Sequence, residues 1–385
     1  MNKLSKLFGI KNIILTLLLS VMFLNLHGYW YVFAVLPIVY ALFFNEVYRL
    51  YDKIFTLLLL FGFWYVVFAP PLALSECAIL IFLYPMLYLV GKFLGTYENR
   101  ESLVNILFVL AFSMALFYLI SIYTDVAKYG FYTETRNLSV DSLETDEGIA
   151  ATGIYSNLLL LTSFIVVLFT KLPHRKKILF ALFAIAAFVA TIRIQSRSSV
   201  IITVIELVLF LIMDFKNIVK KRFVTVVVSL GIILFSVGYV LNNYEEELGV
   251  LERFQEEDVE TGGGRTELAM VVINNLTENP WGQFEHTPYA HNLWLDCARV
   301  AGVVPLLFLL IITIYYIRSV WMVYRQNDDN DNYKNILFLI GIVLLIYMNT
   351  EPILEGCPLL FAFFSIFLGI QEGCFRVNNK LHIIR

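Results

Sequence analysis

Long apolar runs constrain this chain more than any other feature. Twelve stretches read as membrane-crossing helices, near 10–27, 29–44, 54–74, 76–94, 103–123, 151–170, 178–194, 198–213, 223–241, 301–320, 336–350 and 357–374. About 20 mostly apolar residues span the hydrocarbon of a bilayer, and a helix satisfies its own backbone hydrogen bonds there. Composition points the same way. The chain is 59% hydrophobic and 15% charged, with a mean hydropathy of +0.76, whereas a soluble domain is about half apolar and a quarter charged. The first stretch lacks a small-residue cleavage site and runs straight into the second, so it is expected to be retained as a helix. A net charge of −3 supplies no field for nucleic acid. Cys77, Cys297, Cys357 and Cys374 have no metal-ligand spacing and read as buried thiols.

Basic residues give the bundle a direction, because cytoplasmic loops carry the excess of Lys and Arg. With both termini inside, 21 of the 28 basic residues fall on the cytoplasmic side, led by the runs 171-KLPHRKK-177 and 214-DFKNIVKKR-222. The fold class expected is therefore all-α and polytopic, with about 12 transmembrane helices and both termini cytoplasmic. Three regions follow. Residues 1–241 hold helices one to nine with an outer loop at 124–150, residues 242–300 form a large outer loop, and residues 301–385 hold helices ten to twelve and a cytoplasmic tail. The large loop opens on the acidic run 244-YEEELGVLERFQEEDVE-260 and Gly262–Gly264. A short amphipathic helix is expected next, about Thr266 to Leu276, with Leu268, Val271, Val272 and Leu276 at helical spacing and Pro280 beyond its end. A second is expected at about Tyr289 to Val300.

The polar residues on the outer side carry the chemistry. Arg193 and Arg197 stand in the short outer turn 191-TIRIQSRSSV-200, where basic residues are usually avoided. If the seventh helix runs on through them, both guanidinia share one face and repel, unless an anion lies between them. Arginine grips phosphate oxygens in fork geometry; the alternative is a pair that snorkels to headgroups or meets outer carboxylates. Arg265 follows three glycines and precedes Thr266, a helix N-cap candidate. A cation there is misplaced beside the helix dipole unless it shares an anion with it; the alternative is a solvated arginine on a linker. His291, in 288-PYAHNLWLD-296, is suited to proton transfer, and Asn292 can orient a neighbour. Glu351 and Glu355, in 350-TEPILEGCP-358, can meet sugar hydroxyls or pair with the arginines. Glu206 lies midway along the eighth helix, where a carboxylate marks either an ion pathway or a structural hydrogen bond.

In order, spacing and sidedness, Ser196-Arg197, Gly264-Arg265, Pro280-Trp281-Gly282, His291-Asn292 and Gly302 resemble the signature of the O-antigen polymerase and ligase family. The resemblance covers about 190–305. It departs from the pattern at Met270, near the position of a usual aromatic, at Phe284, where a glycine is usual, and at Pro305, near a missing second glycine.

The resemblance implies a GT-C-like membrane glycosyltransferase in the bacterial cytoplasmic membrane, with its active site facing outward. It implies an undecaprenyl-diphosphate-linked oligosaccharide as substrate and an inverting transfer that uses no metal and no cofactor. His291, Arg197 and Arg265 would be catalytic, and Arg193, Asn292, Glu351 and Glu355 would bind substrate. Membrane lipids, and possible partners such as a flippase and a chain-length regulator, belong to the same expectation. Polymerase is preferred to ligase. A transporter or flippase of lipid-linked oligosaccharide is the alternative from another class, but transporters gather their polar groups near the midplane and here they gather outside.

Overall fold

The computed structural model describes residues 3–131, 151–169, 172–194, 197–221, 265–283, 287–325 and 332–383. The ninth apolar stretch, the opening of the large outer loop through Gly264, Ser196 and most of the 124–150 loop lie outside the described residues. Every regular element among the described residues is helical. In chain order these are α1 (Lys3–Phe23), α2 (Trp30–Asn45), α3 (Lys53–Phe68), α4 (Leu74–Tyr97), α5 (Arg100–Tyr129), α6 (Ala151–Thr162), α7 (His174–Arg193) and α8 (Arg197–Lys221). Then come α9 (Arg265–Glu278), α10 (Leu293–Ala301), α11 (Val303–Tyr324), α12 (Asn332–Met348), the single turn α13 (Ile353–Gly356) and α14 (Pro358–Ile383). Four segments, Leu74–Tyr97, Arg100–Tyr129, Val303–Tyr324 and Pro358–Phe375, are long and apolar enough to cross a membrane, and six shorter helices among the described residues are apolar too.

Local chemistry explains where the helices stop and bend. α3 ends at Phe68, six residues before the expected limit, because Pro70 and Pro71 remove donors and push the preceding residue out of the helical region. In α4 the turn Ile79–Leu83 widens to π geometry just ahead of Pro85, whose ring would clash with the carbonyl four residues back in a regular helix. α6 tightens into a 3-10 segment over Ser163–Phe169 where Thr162 and Ser163 both donate to the Leu159 carbonyl, a competition that distorts helices.

The chain divides into two compact units, Met1–Leu116 with Arg265–Arg385, and Phe117–Gly264, the division falling within α5. At the centre of the first unit, α4 and α14 meet backbone to backbone. A Cβ on Gly91 would strike the Ile366 carbonyl and one on Gly95 that of Ile370, while Gly369 lies against Tyr88 and Gly373 against Lys92. Two Gly-x3-Gly pairs thus face each other, the small-residue contact by which membrane helices approach closely. The paired numbers rise together, so the two helices run parallel. At the basic end of α4, the buried Lys92 reaches Asp52 at 2.5 Å and the Leu50 carbonyl. Asp52 also caps α3 through the amides of Ile54 and Phe55 and accepts from Tyr88.

In the second unit, Phe164 packs edge-on against Phe180 and the Tyr123 hydroxyl donates to the Ala186 carbonyl. Glu206 is buried near Ser163, and its Oε1 has no hydrogen-bond partner among the described residues.

Candidate functional site

The site is built on a docked turn. α9 ends at Glu278, as Pro280 demands, and the turn Pro280–Gly282 then seats on the junction of α10 and α11. Val303 N donates to the Pro280 carbonyl at 2.9 Å and Gln283 N to the Val300 carbonyl at 3.2 Å. Gly282 and Gly302 both have positive φ, 81° and 77°; a Cβ on Gly282 would strike the Gly302 nitrogen, and one on Gly302 would strike the backbone of Pro280 and Trp281. The Pro-Trp-Gly motif and Gly302 are therefore two halves of one joint. Trp281 stacks on Phe68 with ring centroids 5.2 Å apart, and the Gln283 amide donates to the Phe68 carbonyl at 2.6 Å. The joint thus fixes the outer-loop helices to the end of α3.

His291 adopts φ +52°, a left-handed conformation that costs a non-glycine residue about 1–2 kcal/mol. Its two neighbours hold it there. Ala290 N donates to Asp296 Oδ1 at 2.8 Å and Asn292 N to Asp296 Oδ2 at 3.0 Å, so one buried carboxylate clamps the backbone on both sides of the histidine. Asn292 caps α10, its Oδ1 accepting from Trp294 N and Leu295 N at 3.1 Å each, and its Nδ2 donates to Asn349 Oδ1 at 3.4 Å. Its oxygen is thereby committed to starting the helix. Asp296 in turn lies 3.4 Å from Arg299, which meets Glu355 at 2.5 Å and covers the Tyr289 ring. Burial raises the Glu355 carboxyl and Arg299 pulls it back only in part; burial lowers Arg299, and Glu355 with Asp296 more than restores it. Asp296 and Arg299 were not singled out from sequence. A carboxylate five residues after His291, on the first turn of an Asn-capped helix, is the signal that could have found Asp296.

The Arg299–Glu355 pair ties α10 to the segment that bears Glu351. That carboxylate is only 3% exposed, and it lies 3.5 Å from the Arg265 guanidinium and 3.4 Å from His291 Nδ1. Arg265 is the first residue of α9, so the anion that its placement requires is Glu351. Sequence left Glu351 a choice between sugar hydroxyls and arginines; the structure gives it Arg265, and gives Glu355 a cation that sequence had not weighed. His291 and Arg265 keep 31% and 38% of their side chains exposed, enough to meet a ligand, while the group between them is buried. An ionised carboxylate only accepts. When Nδ1 carries the proton and donates it to Glu351, the imidazole lone pair falls on Nε2.

In the second unit, α7 ends at Arg193 and α8 begins at Arg197. The two arginines thus sit at the abutting ends of two helices. The single continuous helix face considered from sequence does not form, because the chain breaks helical geometry at Ile194. Arg193 is largely buried and within electrostatic reach of Asp125. The Arg197 side chain lies outside the described residues.

A helical membrane protein in which α9, α10 and the turn before α13 assemble a cation, a buried carboxylate and an imidazole is the class that fold and site define. The family described as O-antigen ligase matches residues 180–310, from α7 into α11 and about a third of the chain. The segment includes every motif on which the resemblance rests, so the similarity to that family covers the part of the chain that carries Arg265 and His291 of the candidate site. That family carries out membrane glycan transfer from lipid-linked oligosaccharides. No curated protein matches the chain.

Proposed function

We propose that this protein is a polysaccharide polymerase. In this reading it joins undecaprenyl-diphosphate-linked oligosaccharide units at the outer face of the bacterial cytoplasmic membrane. The observation that carries the reading is the Arg265–Glu351–His291 cluster, which puts a cation and an imidazole on the two oxygens of one buried carboxylate. His291 Nε2 takes the proton of the acceptor hydroxyl as its oxygen bonds to the anomeric carbon of the donor. The bond from that carbon to the lipid diphosphate breaks on the opposite face, inverting the centre. Arg265 stabilises the charge that collects on the leaving diphosphate, and the resemblance assigns Arg197 and Arg193 to the same group. Glu351 orients the imidazole and supports the imidazolium that forms. Energy comes from the donor's own diphosphate linkage, so neither nucleotide nor metal enters a step. A flippase supplying the donor and a chain-length regulator are the partners this chemistry would need.

The test is reconstitution in vesicles with a short lipid-diphosphate-linked repeat unit, without ATP or added divalent metal. Longer lipid-linked products are expected. Transfer only to a different acceptor lipid would mark a ligase, and movement across the bilayer without new glycosidic bonds would mark a transporter; either sinks the polymerase reading. In the same assay His291→Ala should bind donor and form no product.

A further inference from the structure

A groove between α1 and α5 lies at the end of the first unit opposite His291. α3 ends at Phe68 beneath the Trp281 turn, and α4 then carries the chain 24 residues to Tyr97, about 36 Å at 1.5 Å per residue. The groove encloses about 310 Å³, and Asn12, Glu98, Ser102 and Asn105 supply its polar wall. Asn12 is 5% exposed and donates its Nδ2 to Glu98 Oε1 at 2.5 Å. That bond identifies the other terminal atom as Oδ1, and this buried oxygen has no partner. No ion pair joins Glu98 to a cation among the described residues. The wall therefore offers a carboxylate and an unmet amide oxygen, and leaving a buried acceptor unmet costs about 1–3 kcal/mol.

Such a wall calls for a cationic N–H donor and repels an anionic head. The mouth of the groove is apolar. Ile13 and Leu17, both on its lining, are 60% and 59% exposed on a helix that faces lipid, so an occupant with acyl chains can lie along them. We propose that this groove binds the primary-ammonium headgroup of an ethanolamine-type phospholipid, the ammonium donating to Glu98 and to Asn12 Oδ1. The inference rests on membrane embedding and is independent of the reaction assigned to the other end of the bundle.

The test uses the full chain in nanodiscs holding equal parts of phosphatidylethanolamine, phosphatidylcholine and phosphatidylglycerol, with bound lipids counted by native mass spectrometry. Phosphatidylcholine keeps the positive charge but has no N–H, and phosphatidylglycerol has neither. The ethanolamine lipid should be enriched about tenfold over both, the ratio expected of one charge-assisted hydrogen bond. Glu98→Gln retains the bond from Asn12 and should reduce that enrichment to the bulk ratio while melting with the wild type. Equal retention of the three lipids by the wild type overturns the proposal whether or not the variant folds. So does an enrichment that Glu98→Gln leaves unchanged. Displacement of the bound lipid by soluble phosphoethanolamine at matched concentration would make the site one for a free amine and overturn the lipid assignment.

Discussion

At the scale of single residues, the site depends on what holds His291. A left-handed histidine is costly, and Asp296 offsets that cost by taking both flanking amides. Asp296→Asn replaces two strong acceptors with one weaker oxygen and a donor that faces an N–H. The expected result is a fall in kcat of about 10–100-fold with donor KM little changed, because sub-ångström misplacement of a base acts on the transition state. A loss of kcat that merely tracks a loss of folded protein would make Asp296 structural only. Arg265 and His291 were legible as polar residues of one long loop. Their link was not, since Glu351 stands 60 residues beyond His291 and no local pattern pairs them. Asn292 was read as a substrate ligand from the His-Asn pair, and its cap geometry shows a helix-starting role that the Asn-x-x-x-Asp spacing of Asn292 and Asp296 could have suggested.

At the scale of elements, the closest contact is the parallel crossing of α4 and α14 through Gly91, Gly95, Gly369 and Gly373. The two Gly-x3-Gly spacings are visible in sequence; that they face one another is not, because 278 residues separate Gly91 from Gly369. Gly369→Leu would drive a side chain into the Tyr88 carbonyl, and backbone on both sides leaves nowhere to yield. Most of the folded protein should be lost on size-exclusion chromatography in detergent, whereas Gly9→Leu, where an added Cβ meets nothing within 4 Å, should elute as wild type. Equal behaviour of the two would mean that the crossing tolerates separation. The Asp52–Lys92 pair supports the basic end of the same helices. Lys92→Met strands a buried carboxylate and should destabilise the protein by about 3–5 kcal/mol, read as a lower melting temperature; an unchanged melting curve would show that water reaches Asp52.

At the scale of the whole molecule, parallel membrane helices are separated by an even number of crossings. α4 and α14 are the fourth and twelfth spans in the order proposed from sequence, an even separation such as a parallel course requires. Alkaline phosphatase fused after Leu72 should be active and after Tyr97 inactive, and green fluorescent protein at the C-terminus should fluoresce. The reverse pattern would invert the bundle and remove the site from the outer face. Sequence alone determined that this chain is a helical membrane protein, because an apolar run of about 20 residues has one stable form in hydrocarbon. It also put Arg265, His291 and Glu351 on one expected side of the bundle, because charge and turn chemistry act locally. Only the tertiary structure decided which carboxylate meets which cation. Burial of Glu351 between Arg265 and His291 depends on the Gly282–Gly302 joint and the Arg299–Glu355 tie, and contacts between residues so far apart in the chain are made by packing, not by any neighbouring pattern.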